Sequence, residues 1–187
     1  MKDNKIIIGL VGEMASGKGT VTKYLLTKYQ ATEYRFSDIL RDILERVHLD
    51  IVRKNLASLS LSLRTYYGQD ILAYALAQDI KNDDNQVIVV DGIRRVADLK
   101  YLRKMDNFVL VYVEADLEKR YERLVGRNEK QDDKMKTFEE FKNDHKLETE
   151  TTIRELKDTA DAVIDNNGSV EELYKQIDGV IKRKKDC

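Results

Sequence analysis

Short apolar runs alternate along the chain with longer stretches whose apolar positions recur every three or four residues. Residues 5–11 (KIIIGLV) are continuously apolar after the lysine and end at Gly12, the pattern of a strand buried on both faces. Residues 20–30 then place Val21, Tyr24, Leu25 and Lys28 at helical spacing. Residues 33–36 read as a short edge strand, and Ser37 stands where it can cap a helix carrying Ile39, Leu40, Ile43, Leu44 and Val47. Two further helices are predicted over 51–67 and 69–81, separated near Gly68. A second buried strand, 86–90 (QVIVV), closes at Asp91-Gly92, and 98–105 reads as helical. Residues 108–113 (FVLVYV) form a third central strand, followed by an amphipathic helix, Leu117–Gly126. Polar, aperiodic 128–136 predicts a mobile loop, and 138–156 has helical propensity. A last short strand, 162–164, precedes a helix capped by Ser169 and built on Val170, Leu173, Ile177 and Ile181.

Strands alternating with helices predict an α/β fold, a parallel sheet between helical layers with right-handed crossovers. A length of 187 residues suits one domain, expected over 1–187, and neither repeats nor low-complexity segments divide it. Lys plus Arg (33) nearly cancel Asp plus Glu (34), so no global field favours a nucleic-acid polymer or an anionic membrane. Any anion site must therefore come from a local cluster. No apolar run approaches the roughly 20 residues that span a bilayer, so no membrane partner is expected. Cys187 is the one cysteine, which excludes an internal disulfide framework or a thiolate metal site and makes a cytoplasmic location the expectation. His48 and His145 lie far apart in sequence and predict no metal site. The chain has no proline, where average usage predicts about nine; no functional account of this is offered.

The candidate chemistry starts at Gly12-Glu13-Met14-Ala15-Ser16-Gly17-Lys18-Gly19-Thr20, between the first strand and its helix. Consecutive backbone N–H groups in such a turn form a concave anion site, and the following helix adds unpaired donors and the positive end of its dipole. Lys18 is placed to reach the β- and γ-phosphates of ATP, and a nearby hydroxyl to meet Mg²⁺. The loop pattern Gly-x4-Gly-Lys is suggestive alone; Gly19-Thr20 with a strand before and a helix after makes it specific. The general pattern has Ser or Thr directly after the lysine, whereas here Gly19 intervenes before Thr20.

The Gly-Lys-Gly-Thr variant resembles P-loop nucleoside monophosphate kinases of the adenylate kinase kind, although Met14 and Ala15 stand where that family usually has Pro and Gly. Positive φ at Ala15 would cost on the order of 1 kcal/mol. Phe36-Ser37-Asp38-Ile39-Leu40-Arg41 is similar to the family segment whose arginine grips the acceptor phosphate, a role that falls on Arg41. In the related dephospho-CoA kinases an aspartate in this region is the base for the acceptor hydroxyl, which implicates Asp38. Asp91-Gly92-Ile93-Arg94-Arg95 resembles the Asp-Gly-Phe-Pro-Arg stretch, implying Asp91 at the metal and Arg94 or Arg95 on the acceptor phosphate. Arg123-Leu124-Val125-Gly126-Arg127 resembles the start of the kinase lid, whose two arginines straddle the transferring phosphates; Arg120 is a neighbour without an assigned use. Residues 130–149 hold none of the further lid arginines of adenylate kinases. Residues 160–169 instead look like the C-terminal end of dephospho-CoA kinases, which puts Asn167-Gly168 beside the adenine.

The resemblance therefore implies a three-layer P-loop kinase fold with five parallel strands in the order 2-3-1-4-5, an acceptor-binding helical region near 37–82 and a small lid near 127–148. ATP would lie on Gly12, Ala15, Ser16, Gly17, Lys18, Gly19 and Thr20, with Arg123, Asn167 and Gly168 around it and Mg²⁺ at Thr20 and Asp91. Lys18, Arg123, Arg127 and Asp38 would carry the chemistry. Arg41, Arg94 and Arg95 would join Asp38 at a nucleoside monophosphate or dephospho-CoA. Arg64, Tyr66 and Tyr67 could line an acceptor pocket, and core packing or an ordinary surface explains the tyrosines just as well. A nucleotide switch or NTPase without an acceptor, and a non-catalytic scaffold, stay open, as does the oligomeric state.

Overall fold

The structure is a computed structural model that describes residues 5–126, 136–144 and 148–185. Five strands, β1 (Ile6–Val11), β2 (Thr32–Arg35), β3 (Val87–Asp91), β4 (Phe108–Glu114) and β5 (Ala162–Asp165), form one sheet in the order β2-β3-β1-β4-β5. Every pair is parallel, so β1 is flanked on both sides and its backbone groups are satisfied within the sheet. Alternate residues of β1 feed two cores, as a strand covered on both faces requires. Ile7 and Val11 join Leu40, Leu72, Leu76, Ile88 and Leu110 on one face. Ile6, Ile8 and Leu10 join Val21, Leu25, Val89, Val111 and Ile177 on the other.

Helices α1 (Lys18–Tyr29) and α9 (Val170–Lys185) supply the second of these cores. The first is covered by α2 (Phe36–Arg46), α3 (Arg53–Tyr67), α4 (Ile71–Asn82) and the short α5 (Val96–Leu99). Between β4 and β5 come α6 (Leu117–Gly126), α7 (Phe138–Asp144) and α8 (Glu148–Glu155). The predicted mobile loop at 128–136, except Lys136, and Arg127 lie outside the described residues, as does much of the proposed lid. Among the described residues no helix is long and apolar enough to cross a membrane.

The departures from the periodicity reading have local causes. Helix α1 starts at Lys18, two residues earlier than predicted, because left-handed Gly17 is its N-cap. Ser37 does not cap α2; extended Arg35 does, without a side-chain bond, and Ser37 is the second helical residue. The helix predicted over 98–105 is one turn, α5, followed by a 3-10 turn at Leu102–Lys104. Here the Asp98 carboxylate turns back to accept the N–H groups of Arg94 and Arg95 at 3.0 and 3.1 Å, starting the turn earlier than the apolar period suggests. Of the stretch predicted over 138–156, the described residues Phe138–Asp144 (α7) and Glu148–Glu155 (α8) are helical. Ser169 behaves as predicted: its hydroxyl accepts the Glu172 N–H at 3.3 Å, while the Glu172 carboxylate accepts the Ser169 N–H at 2.7 Å.

Asp178 of α9 ties the far end of α1 to the C-terminal helix. Its carboxylate accepts hydrogen bonds from Tyr24 and Tyr29 and pairs with Lys28 at 2.7 Å, and the Tyr24 ring stacks on Tyr174 with centroids 3.8 Å apart. Burial pushes this carboxyl up, but the bonds from Lys28, Tyr29 and Tyr24 together outweigh it and leave it below its ordinary value. Because the folded value is depressed, the stabilisation is present above the ordinary carboxylate value near 4 and is lost as pH falls through the folded value. Asp178→Asn should cost about 1 kcal/mol at neutral pH, roughly 2–4 °C in melting temperature for a chain of this size. Melting curves of the two proteins should converge in strong acid.

Candidate phosphate-binding site

Between β1 and α1 the chain reverses in six residues, and the turn needs left-handed backbone at Ala15 (φ 60) and Gly17 (φ 108). Ala15 accepts the strain foreseen from its sequence position, a cost of about 1 kcal/mol for a side chain of one methyl. Gly17 has no freedom to change. A Cβ there would lie 2.0 Å from Nδ2 of Asn166. The Ser16 N–H closes the turn on the Glu13 carbonyl at 3.2 Å. Alternation of left-handed and ordinary residues is the geometry that turns successive N–H groups to one side. Lys18, first residue of α1, folds back so that its Nζ donates to the Gly12 and Glu13 carbonyls at 2.6 and 3.0 Å. The ammonium is thus held at the loop by carbonyls it can exchange for phosphate oxygens. Gly19 and the exposed Thr20 follow on the first turn of α1.

The loop is braced from β5 by Asn166, a residue the sequence reading passed over for its neighbour. Asn166 is 6% exposed; its N–H meets the Glu114 carbonyl at 2.8 Å and its Nδ2 donates to the Ser16 carbonyl at 2.7 Å. Arg123 of α6 donates from Nη2 to the Asn166 carbonyl at 2.7 Å, while its Nη1 is buried without a partner. Asn167 works elsewhere, accepting the Asp116 N–H at 2.8 Å on Oδ1 and Lys119 on its carbonyl. Gly168 is exposed beside it, with Glu172 close to its Cα. Nothing in Asp-Asn-Asn-Gly tells which amide turns inward; the end of β5 decides.

A second omission is electrostatic. Glu13 is paired with Arg120 of α6 at 3.3 Å and with Arg154 of α8 at 3.2 Å, and Arg120 also donates to the Met14 carbonyl at 3.3 Å. Arg120 is buried, so the residue left without a use is the one most firmly seated at the loop. Arg154 lies just beyond 130–149, the span in which further arginines were sought. Tyr112 of β4 faces this group: burial, with Glu13 and Glu114, pushes its phenol up to about 12 against the opposing arginines.

On the other side of the loop, β3 ends in Asp91, whose Oδ1 is buried and has no hydrogen-bond partner. Its register neighbour on β2 is Arg35, raised by its bond to Glu33 and, more weakly, by the charges of Asp38 and Asp91. Asp38 and Arg41 face each other on α2 at 3.9 Å, both about half exposed. Arg94 and Arg95 are exposed on the segment after β3, and Arg95 reaches Gln69 at 3.5 Å. Among the described residues no hydrogen bond joins these arginines at one point; they lie on the segments that follow β2 and β3, at the carboxyl edge of the sheet, where open α/β sheets take ligands. Arg64 is a packing residue rather than a pocket wall, buried against Asp98 with Nη2 2.9 Å from Oδ1. Tyr66 and Tyr67 are 82% and 70% exposed. Among the described residues no three His, Cys, Asp or Glu side chains gather as a metal cluster.

A 2-3-1-4-5 parallel sheet whose central strand runs through this loop into a helix defines a nucleotide-binding, P-loop kinase-like fold. The family model described as an AAA domain matches residues 11–142, and the chain belongs to that family. A UPF0200/UPF0201 protein of Archaeoglobus fulgidus is 31% identical over 91% of the chain, which spans only 53% of that relative's length. The Thermus thermophilus protein TT1252 superposes with a TM-score of 0.63 at 20% identity, covering 96% of this chain and 98% of that one. A shikimate kinase from Acinetobacter baumannii, solved with shikimate, superposes with a TM-score of 0.55 at 15% identity, covering 97% and 96%. At these identities the two structures speak for the fold alone.

The contact between Gly17 and Asn166 can be tested directly. Gly17→Ala should cost about 2–4 kcal/mol in chemical denaturation, from left-handed strain plus overlap with a side chain held by its own hydrogen bond. Asn166→Gly alone should also destabilise, because the Ser16 carbonyl loses its buried donor, and the double variant should be less destabilised than the sum of the two single variants, because the overlap is gone.

Proposed function

We propose that the protein is a phosphotransferase that binds MgATP on the 12–20 loop and transfers the γ-phosphoryl group to a small nucleotide-like acceptor. The observation that carries this reading is the loop itself: left-handed Ala15 and Gly17 before α1, with the Lys18 ammonium waiting on loop carbonyls. Structural neighbours described as shikimate kinases support a kinase on this fold. The partnerless, buried Oδ1 of Asp91 and the exposed hydroxyl of Thr20 suit a hard oxygen-ligated cation. Mg²⁺ at Thr20 and Asp91 would neutralise phosphate charge.

Lys18 binds the β- and γ-phosphates, and Arg123, with Nη1 still to be satisfied, adds charge from α6. Arg127 belongs to the same reading but lies outside the described residues. Asn166 holds the loop in shape, and Asn167-Gly168 would lie beside the adenine. Asp38 and Arg41 face the acceptor, with Arg94 or Arg95 on its phosphate. With a hydroxyl acceptor, as in dephospho-CoA, the acceptor oxygen bonds to the γ-phosphorus as its bond to the β–γ bridging oxygen breaks. ADP departs, and the hydroxyl proton passes to the Asp38 carboxylate. A nucleoside monophosphate needs no such base.

Incubation with MgATP and a panel of nucleoside monophosphates, dephospho-CoA and shikimate should give ADP with one of them. Lys18→Ala should abolish it. Asp38→Asn should slow a hydroxyl acceptor by about a hundredfold or more and a phosphate acceptor little. ATP turnover that no acceptor accelerates would favour an NTPase, and absence of MgATP binding a scaffold.

A further inference from the structure

Glu13 sits inside the phosphate loop, where a negative side chain opposes anion binding. Its carboxylate is 13% exposed and divided between two elements, Oε2 facing Arg120 of α6 at 3.3 Å and Oε1 facing Arg154 of α8 at 3.2 Å. Arg120 also holds the Met14 carbonyl, and Lys18 holds the carbonyl of Glu13 itself. Three cations therefore touch residues 12–14, and this carboxylate neutralises part of their charge. A guanidinium as buried as that of Arg120 requires a counter-ion, and Glu13 provides it from within the loop.

We propose that Glu13 is a positioning residue that acts as a resident anion, holding Arg120 and Arg154 against the loop and yielding part of their charge when a triphosphate binds. The inference rests on the reading of the loop as a triphosphate site. Carboxylate and triphosphate compete for the same guanidiniums, so affinity is set below what the loop's cations alone would give. The same contact keeps α6 and α8 drawn to the loop whether or not an anion is present. Glutamine at this position keeps the shape and one acceptor oxygen but removes the charge.

The test is calorimetric titration of the full chain with inorganic tripolyphosphate, without acceptor, at low and high salt. Glu13→Gln should bind it roughly five- to thirtyfold more tightly than the wild type, with the gain shrinking at high salt. Arg154→Gln should bind it several-fold more weakly. In the double variant most of the gain from Glu13→Gln should vanish, because one of the released cations is gone. A purely structural Glu13 would leave affinity unchanged or lower with the fold retained, and that result overturns the proposal. Should Glu13→Gln not fold, Arg154→Gln decides alone: unchanged affinity and salt dependence overturn the proposal, and weaker, less salt-dependent binding supports it. Wild type that ignores tripolyphosphate overturns the triphosphate reading itself, a failure distinct from a wild type that binds and a variant that binds no better.

Discussion

The approach of the Asn166 carboxamide to the Gly17 backbone is the constraint on which the rest of the site depends. The loop has too few residues to build a core of its own, and its conformation includes a left-handed alanine that a free chain would avoid. It persists because the Ser16 carbonyl is fixed by a buried amide at the end of β5, an element some 150 positions further along the chain. Strand order makes this possible: with β4 between β1 and β5, the ends of all three strands arrive on one edge, and α6 comes with them. Arg123 then binds the backbone of Asn166, so a loop, a sheet end and helix α6 share one residue.

Charge at this edge is balanced locally rather than globally. The chain is nearly neutral, yet Lys18, Arg120, Arg123 and Arg154 all contact the loop or its brace. Four cations so close would repel, and Glu13 together with several carbonyl oxygens offsets that repulsion. The opposite wall is acidic, with Asp91 and Asp38 near Arg35. A polyanion on the loop would lie between these cations and the acidic wall.

The sheet was legible in the sequence because its central strands are buried on both faces and read as continuous apolar runs ended by Gly12, Asp91 or Glu114. Strand order came from the family resemblance, since parallel pairing leaves no mark at short range. The loop was legible for a stronger reason: only glycine tolerates the Gly17 position, so its physics is written in residue type. Ser37 was misread because capping statistics favour serine, while the actual start of α2 is set by the end of β2 one residue earlier. The helix at 98–105 was misplaced because Asp98 is buried under Arg64 with one oxygen and takes the N–H groups of Arg94 and Arg95 with the other, which starts the turn before residue 98. Asn166 and Arg154 were missed because their roles come from contacts across more than a hundred residues, which no local pattern records.

The Asp98 carboxylate has a mechanical consequence. One oxygen takes Arg64 of α3, and the other takes the backbone of Arg94 and Arg95. Helix α3 and the segment after β3 are therefore riveted together, and a ligand that tilts one drags the other. A shift of α3 would carry the two exposed arginines with it as a single lever, with its fulcrum at the buried Asp98 side chain.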